Sequence, residues 1–467
     1  MTVTANLVAD VRRPRSQWFE DAKLGIFVHW GLYSVPAFAD PAAPDPAQFM
    51  RDLAAMKDIG GRNPYAEWYL NGLRIPGSAT AKHHADTYGT QFSYFDFQRP
   101  FDEHATTTDL EDWADVFAAA GAAYVVMVTR HLDGYPLWPT SVANPHMPCG
   151  YRSGRDLVGE LARAVRARGL KMGLYYAGGT DWTFTQRPVR TMLDLVAQGS
   201  LGPEYADYVT GQVHELIDRY RPSVLWNDMG WPADADLGAV LRHFYRTAED
   251  GVVNDRWFNF TAPTQAVPHD FRTFEYERPA EPPAEPWEMT RALGRSFGYN
   301  AAEDPTDLLD GGQLIDLLID VVAKGGNLLL NIGPDGTGRI PESQQRPVRE
   351  LGRWLMVYGE AIRRSRRRSA PTACTSNGIT VRFTENREHV YAIVPAGPGR
   401  GELVIPDLRP SEVADAHLIG TGEPAEWTAD AGAVRLQVPA TRVANRHPYV
   451  IAFRRKRSDP DGFRESK

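Results

Sequence analysis

Two carboxylates, Asp228 and Glu275, stand at the ends of short apolar segments and could carry out acid and base chemistry together. Cleavage of an acetal such as a glycosidic bond needs one carboxyl group to attack or to activate water and another to protonate the leaving oxygen. Glu288, in the dipeptide Trp287-Glu288, is a rival for the acid role. Further polar and aromatic side chains end other apolar segments, and this mixture suits a polyol substrate: His29, His131, Tyr176, Trp226, Arg256 and Phe297.

Up to about residue 365, short apolar segments alternate with longer segments of helical periodicity. Several of the short segments are apolar throughout, which is typical of strands covered on both faces. The predicted strands are 24–29, 124–130, 171–176, 223–227, 252–255, 271–274, 295–298 and 327–331. Eight strands with helices between them predict an α/β fold, a (β/α)8 barrel like that of triosephosphate isomerase. Because such barrels carry their sites at the C-terminal ends of the strands, the polar residues would meet at one mouth.

The sequence pattern of the chain changes after residue 365. Five arginines between 362 and 369 indicate a solvated helix end and linker. From 370 to 455, alternating apolar and polar residues with turn residues between them predict a C-terminal antiparallel β-sandwich. We therefore expect a catalytic barrel over 1–365, a sandwich domain over 370–455, and a frayed charged tail over 456–467.

Composition and charge exclude several classes of protein. A net charge of −8 argues against a nucleic-acid or membrane binder, which would need a basic surface. Cys149 and Cys374 are the two cysteines, too few for a disulfide scaffold or a thiolate metal site. The first 23 residues contain no apolar segment of the kind found in signal peptides, so we expect a cytoplasmic protein.

Two other hydrolytic sites have weaker support in the sequence. Metal-dependent hydrolytic barrels often begin with a His-x-His pair on the first strand, where this chain offers His29 alone, so we expect neither a metal nor another cofactor. The segment 294–298 fits the Gly-x-Ser-x-Gly pattern of a serine nucleophile. That pattern needs a helix directly after the serine, and the residues from 299 to 305 do not begin one.

Several blocks of sequence together resemble the α-L-fucosidases of glycoside hydrolase family 29. The resemblance extends from about residue 16 to 365, and the most specific block is Trp226-Asn227-Asp228-Met229-Gly230-Trp231. The other blocks are 18–31, Tyr65-Ala66-Glu67-Trp68-Tyr69, His131-x-Asp133-Gly134, Tyr175-Tyr176, 253–257, 296–300 and 324–331.

The resemblance implies a retaining exo-glycosidase that releases terminal α-L-fucose from a fucosylated oligosaccharide or glycoconjugate. In the motifs, Asp228 corresponds to the nucleophile and Glu275 to the acid/base, while Glu288 holds the position that other branches of the family use for the acid/base. Sugar-pocket positions of the family fall on His29, Glu67, Trp68, His131, Tyr176 and Arg256, and Trp226 and Phe297 are expected to line the pocket.

Leu132 departs from the family, which usually has a second histidine there that contacts the sugar. Losing a hydrogen bond to a buried hydroxyl costs roughly 1–3 kcal/mol. The departure therefore indicates weaker activity on fucose or a related L-sugar as substrate. A sugar-binding homologue without activity is the alternative, and the sequence leaves self-association into a homo-oligomer open.

Overall fold

The structure, a computed structural model, describes residues 16–59, 61–199, 201–260, 267–279, 281–396, 401–430, 432–438 and 447–456. Eight parallel strands form the first sheet, in the order β5-β4-β3-β2-β1-β8-β7-β6. They are β1 (Leu24–Val28), β2 (Tyr124–Arg130), β3 (Lys171–Ala177), β4 (Val224–Asp228), β5 (Val252–Val253), β6 (Arg272–Glu275), β7 (Trp287–Ala292) and β8 (Asn327–Ile332).

The two edge strands of this sheet meet, which closes it into the predicted barrel. A parallel bridge joins Asn254, just after β5, to Phe271, just before β6. The amide of Asp270 also donates to the carbonyl of Val253 at 2.9 Å. Every residue of β1, β2 and β8 is buried, which explains why these strands read as continuous apolar segments.

The α-helices of the described residues are named in chain order. They are α1 (Gln17–Ala22), α2 (Pro46–Ala54), α3 (Tyr69–Leu73), α4 (Ala79–Tyr88), α5 (Gln98–Ala105), α6 (Leu110–Ala119), α7 (Leu157–Ala167), α8 (Met192–Gln198), α9 (Pro203–Tyr220), α10 (Leu237–Thr247), α11 (Gly311–Ala323) and α12 (Glu342–Tyr358). The signals in the sequence explain their limits: the Asp156 carboxylate caps α7 by accepting from the amide of Gly159, and Gly169 follows the helix with a φ of 76°.

The seventh strand lies earlier in the chain than the sequence suggested. The prediction placed it at 295–298, but β7 is Trp287–Ala292 and residues 295–298 belong to the loop that follows it. The true strand comes directly after Pro286, a proline that ends the preceding loop. The difference moves Glu288 from a loop into the body of a strand.

The second part of the chain forms a β-sandwich. A five-stranded antiparallel sheet has the order β13-β16-β11-β10-β9, and a three-stranded one has the order β12-β15-β14. Their strands are β9 (Arg366–Cys374), β10 (Thr380–Glu385), β11 (His389–Val394), β12 (Gly401–Ile405), β13 (Val413–Leu418), β14 (Trp427–Asp430), β15 (Ala433–Val438) and β16 (Tyr449–Arg455). Side chains of both sheets, among them Phe383 and Leu436, share one apolar core. Of the five arginines expected in a linker, Arg366, Arg367 and Arg368 instead begin β9, at an edge of the larger sheet.

The chain divides into two compact units, Met1–Leu309 with Asn327–Arg349, and Asp310–Gly326 with Glu350–Lys467. All barrel strands fall in the first unit and all sandwich strands in the second, with α11 and the second half of α12 counted in the second. Of the tail expected to fray, residues 457–467 lie outside the described residues. In the part of the chain that is described, no helix is both long and apolar enough to cross a membrane.

Candidate active site

A cavity of about 480 Å³ opens among the C-terminal ends of the barrel strands. Nine of the eleven residues predicted for the site line it: His29, Glu67, Trp68, His131, Trp226, Asp228, Arg256, Glu275 and Phe297. The remaining two, Tyr176 and Glu288, are not part of the lining. The barrel therefore brings together residues spread over most of its sequence at one mouth.

One guanidinium group joins the two principal carboxylates. Asp228 is the last residue of β4 and Glu275 the last residue of β6. Arg256 donates from one terminal nitrogen to Asp228 Oδ1 at 2.9 Å and from the other to Glu275 Oε2 at 3.1 Å. Burial alone would lower the pKa of Arg256, but the charges of Asp228 and Glu275 raise it above its ordinary value. Arg256 is thus a permanent cation between two carboxylates at the mouth.

Two tyrosines fix the remaining oxygens of these carboxylates. The hydroxyl of Tyr175 donates to Asp228 Oδ2 at 3.0 Å, and that of Tyr65 donates to Glu275 Oε1 at 2.8 Å. The ring of Tyr175 also stacks on Trp226, with centroids 5.6 Å apart. Sequence reasoning did not assign either tyrosine to the site, although both stand in the family-like blocks.

The histidines of the cavity are neutral. Burial, and then the neighbouring His131, lower the pKa of His29 to about 3. Burial, and then Arg130, lower the pKa of His131 to about 3. The amide nitrogen of Asn331 donates to the carbonyl of Phe297, so its Oδ1 atom faces His29 Nδ1 at 2.6 Å and can only accept. The proton of His29 is therefore on Nδ1, and its Nε2 is an acceptor for a ligand hydroxyl.

Glu67 and its neighbours form a further side of the cavity. Glu67 Oε2 accepts from the backbone amide of Gly298 at 2.7 Å and from the Ser296 hydroxyl at 3.3 Å. Burial raises the pKa of Glu67 to about 7, although these hydrogen bonds oppose the shift. The ring of Phe297 packs on His29 with centroids 5.0 Å apart. Ser296 and Phe297 thus contribute to the site from the loop after β7. The residues after Ser296 continue this loop and do not begin the helix that the serine-nucleophile pattern needs.

Tyr176 lies on the opposite face of β3 from the cavity, so its expected place in the sugar pocket was wrong. Its hydroxyl donates to Gln212 on α9 at 2.8 Å, and the Arg130 guanidinium lies 4.3 Å from its ring centroid. Successive side chains of a strand point to opposite faces, and Tyr175 is the one that faces the interior. The motif Tyr175-Tyr176 therefore does contain a residue of the cavity, but that residue is Tyr175 and not Tyr176.

Glu288 lies inside the barrel, below the cavity. In the register between β6 and β7, Glu275 pairs with Thr290, which places Glu288 two residues, about 7 Å, nearer the N-terminal end. The Glu288 side chain is fully buried, accepts from Trp226 Nε1 at 2.9 Å, and binds the hydroxyl of Tyr124, the first residue of β2. Burial raises the pKa of Glu288 to about 7. Glu288 therefore supports the Trp226 ring from below and has no contact with the cavity.

The departure at Leu132 is also buried. Leu132 has no exposed surface and does not line the cavity, and its carbonyl accepts from the backbone amide of Trp182 at 2.8 Å. Trp182 in turn packs edge-on against Trp68, with centroids 5.5 Å apart. Leu132 thus stands behind the wall that Trp68 presents to the cavity.

In the described ranges, no three side chains of His, Cys, Asp or Glu come together in a way that could hold a metal ion.

Known proteins share this fold and much of this sequence. The sequence model of the family described as Alpha-L-fucosidase matches residues 2–360. An α-L-fucosidase of Dictyostelium discoideum is 30% identical over 463 residues, which cover 95% of this chain and 92% of the relative. Thermotoga maritima α-fucosidase in complex with a mechanism-based inhibitor is 40% identical, with a TM-score of 0.82 over 96% of this chain and 98% of that chain. Its complex with fucose is 40% identical, with a TM-score of 0.81 and the same coverage.

Proposed function

Because the chain belongs to the α-L-fucosidase family, we propose that it hydrolyses terminal α-L-fucosides with retention of configuration, through a covalent fucosyl-enzyme on Asp228. The protein is a glycoside hydrolase. The observation that carries the proposal is the bridge from Arg256 to both Asp228 and Glu275 inside one cavity. Its location in the cell stays a prediction from the sequence.

Asp228 is suited to attack the anomeric carbon. Tyr175 and Arg256 bind one oxygen each, which fixes the orientation of the carboxylate in the cavity. The positive charge of Arg256 lies directly beside the carboxylate that is to act as the nucleophile. When an oxygen of Asp228 bonds to C1 of the sugar, the bond from C1 to the glycosidic oxygen breaks.

Glu275 is suited to move the proton in both steps. In the first step it donates its proton to the departing glycosidic oxygen, and in the second it takes a proton from the water that attacks C1 and releases Asp228. Tyr65 and Arg256 occupy its two oxygens in the free protein. Because each carboxyl oxygen has two lone pairs, each keeps one that can carry the proton for the glycosidic oxygen.

The remaining groups of the cavity match a 6-deoxy sugar. The free Nε2 of His29 can accept a hydrogen bond from a sugar hydroxyl, and His131 stands beside it with ring centroids 5.8 Å away. Glu67 offers a carboxyl group to another hydroxyl. The rings of Phe27 and Phe297, with centroids 6.4 Å apart, provide an apolar surface for the C6 methyl group.

The test is the initial rate of phenol release from an aryl α-L-fucopyranoside. We expect Asp228→Ala to abolish turnover. Glu275→Ala should retain turnover of substrates with good leaving groups, and azide should accelerate it by forming a fucosyl azide that needs no general base. Near-normal activity of Asp228→Ala would overturn the assignment, and saturable fucose binding without any turnover by the wild type would instead identify a binding protein.

A further inference from the structure

The cavity has two kinds of lining that lie on different elements. Strand ends contribute charged and polar groups, including Asp228 and Glu275. Helices α2 and α8 and the loops after β4 and β5 contribute apolar side chains, which we call the apolar wall: Phe49, Met50, Leu53, Met192, Leu195, Met229, Phe258 and Phe260. At about 480 Å³, the cavity lies in the range that holds ligands larger than a single sugar ring.

The apolar wall is continuous because its elements contact one another. The amide of Ile59, after α2, donates to the carbonyl of Arg190, before α8, at 2.9 Å, and the side chain of Arg190 pairs with Asp58 at 2.6 Å. At the other end of α8, a Cβ added to Gly199 would lie 2.8 Å from the Phe260 side chain. Helices α2 and α8 and the loop after β5 therefore form one surface along the rim.

The apolar wall borders the acid/base side of the cavity. Phe49 packs edge-on against Tyr65, with centroids 5.4 Å apart, and the Tyr65 hydroxyl binds Glu275. Arg51, also on α2, pairs with Glu277, two residues after Glu275. Because the acid/base protonates the oxygen of the departing alcohol, that alcohol must lie on the Glu275 side, against α2.

The side chains of the apolar wall fit an apolar alcohol better than a sugar. Five of them are methionine or leucine, which offer neither a hydrogen bond nor the flat face on which a sugar ring stacks. Methionine also adapts its shape to irregular apolar ligands. At the rim, the charged groups Arg51 and Glu277 already pair with each other.

We propose that the apolar wall is the binding site for the leaving alcohol, and that it selects α-L-fucosides of apolar, aromatic or alkyl-substituted alcohols over fucosylated sugars. This inference rests on the proposed function and names the substrate class of the same site. The wall acts through burial of the alcohol, so its selectivity appears in KM and kcat/KM and grows with the apolar area that the alcohol buries.

The experiment uses leaving groups of similar acidity and increasing apolar area: phenyl, 4-ethylphenyl and 4-butylphenyl α-L-fucopyranosides. Each buried methylene should raise kcat/KM by about fourfold, mainly through a lower KM. Butyl α-L-fucopyranoside, whose alcohol is no more acidic than a sugar hydroxyl, should be a better substrate than a fucosylated galactose. Equal kcat/KM values across the alkyl series would overturn the proposal.

Two neighbouring residues of α8 provide matched variants. Met192 lines the cavity, whereas Leu193 is 63% exposed and lies outside the lining. Met192→Gln should reduce the gain per methylene, and Leu193→Gln should keep the wild-type gain. Met50→Gln on α2 is the second variant expected to reduce it. A gain unchanged in both methionine variants, or equally reduced in Leu193→Gln, would contradict the assignment.

α-L-Fucosyl fluoride separates this inference from the proposed function, because fluoride leaves without filling the apolar wall. Hydrolysis of the fluoride together with a flat alkyl series would overturn the apolar wall alone. No hydrolysis of the fluoride by folded enzyme would overturn the proposed function. The gain in each variant is expressed relative to its own rate on the fluoride, so that changes in the chemical step do not enter the comparison.

Discussion

Replacing Glu288 by glutamine should preserve catalysis and change how stability depends on pH. The two partners of the Glu288 carboxyl group are Trp226 and Tyr124, and both lie inside the barrel. A glutamine has the same shape and can still accept from the Trp226 indole while its amide donates to the Tyr124 oxygen. We therefore expect kcat/KM on aryl fucosides to stay within a few fold of wild type.

The magnitude of the stability effect follows from the pKa of Glu288. Burial raises this pKa to about 7 in the folded protein, from the ordinary value of 4.5. A raised folded pKa means that the folded state holds a proton which the unfolded state has released. The stability that this group contributes is complete below pH 4.5 and is lost as the pH rises to 7. The loss is about 1.4 kcal/mol per pH unit, on the order of 3 kcal/mol in total.

The assay is denaturant unfolding of the wild type and Glu288→Gln at several pH values between 5 and 8. The free energy of unfolding should fall less steeply with pH in Glu288→Gln than in the wild type. The difference in slope should correspond to about one proton. Glu281→Gln, which changes an exposed glutamate in the loop before β7, is the control for the loss of one charge. Its profile should follow that of the wild type.

Two results would refute the reasoning. Parallel stability profiles for the wild type and Glu288→Gln would mean that Glu288 is ionised in the folded barrel. A loss of turnover in Glu288→Ala that azide restores, with Glu275→Ala unaffected, would mean that Glu288 is the acid/base. Either result would contradict its placement below the cavity.

The tyrosines yield two further predictions. Tyr65→Phe removes a hydrogen bond that positions Glu275, which is uncharged when it acts as the acid. Since such bonds contribute about 0.5–1.5 kcal/mol, kcat should fall roughly 2- to 10-fold with little change in KM; an unchanged kcat would show that Tyr65 does not position Glu275. Tyr175→Phe should likewise lower kcat, whereas Tyr176→Phe should keep wild-type kcat/KM and cost about 1 kcal/mol of stability from the lost bond to Gln212. Steady-state kinetics and thermal unfolding of Tyr175→Phe and Tyr176→Phe are the measurements. A loss of kcat in Tyr176→Phe, with Tyr175→Phe unaffected, would contradict the orientation of the strand.

The sequence predicts the barrel well where strands are buried on both faces. Continuous apolar runs marked β1, β2 and β8 closely, because burial on both faces requires such runs. In such strands the sequence does not indicate which residues face the interior of the barrel, because apolar and polar residues do not alternate along the strand. The family resemblance assigned Tyr176 to the site, whereas in the structure it is Tyr175 that faces the cavity.

The misplaced seventh strand has a related cause. β7 carries Glu288, Thr290 and Arg291 within six residues, so its composition resembles a loop more than a buried strand. Polar side chains inside a barrel are tolerated when each finds a partner, as Glu288 does in Tyr124 and Trp226. Those partners lie on β2 and β4, which are distant from β7 in the sequence, so no local pattern around β7 predicts them.

The choice of the reactive carboxyl groups is likewise a property of the fold. The site residues predicted from the sequence include four carboxyl groups, those of Glu67, Asp228, Glu275 and Glu288, at the mouth or just beneath it. Burial raises the pKa values of Glu67 and Glu288 to about 7, and neither of them bonds to Arg256. Asp228 and Glu275 each bond to Arg256 and to a tyrosine. The contacts of this one arginine therefore distinguish the proposed catalytic pair from Glu67, which lines the cavity, and from Glu288, which supports the Trp226 ring.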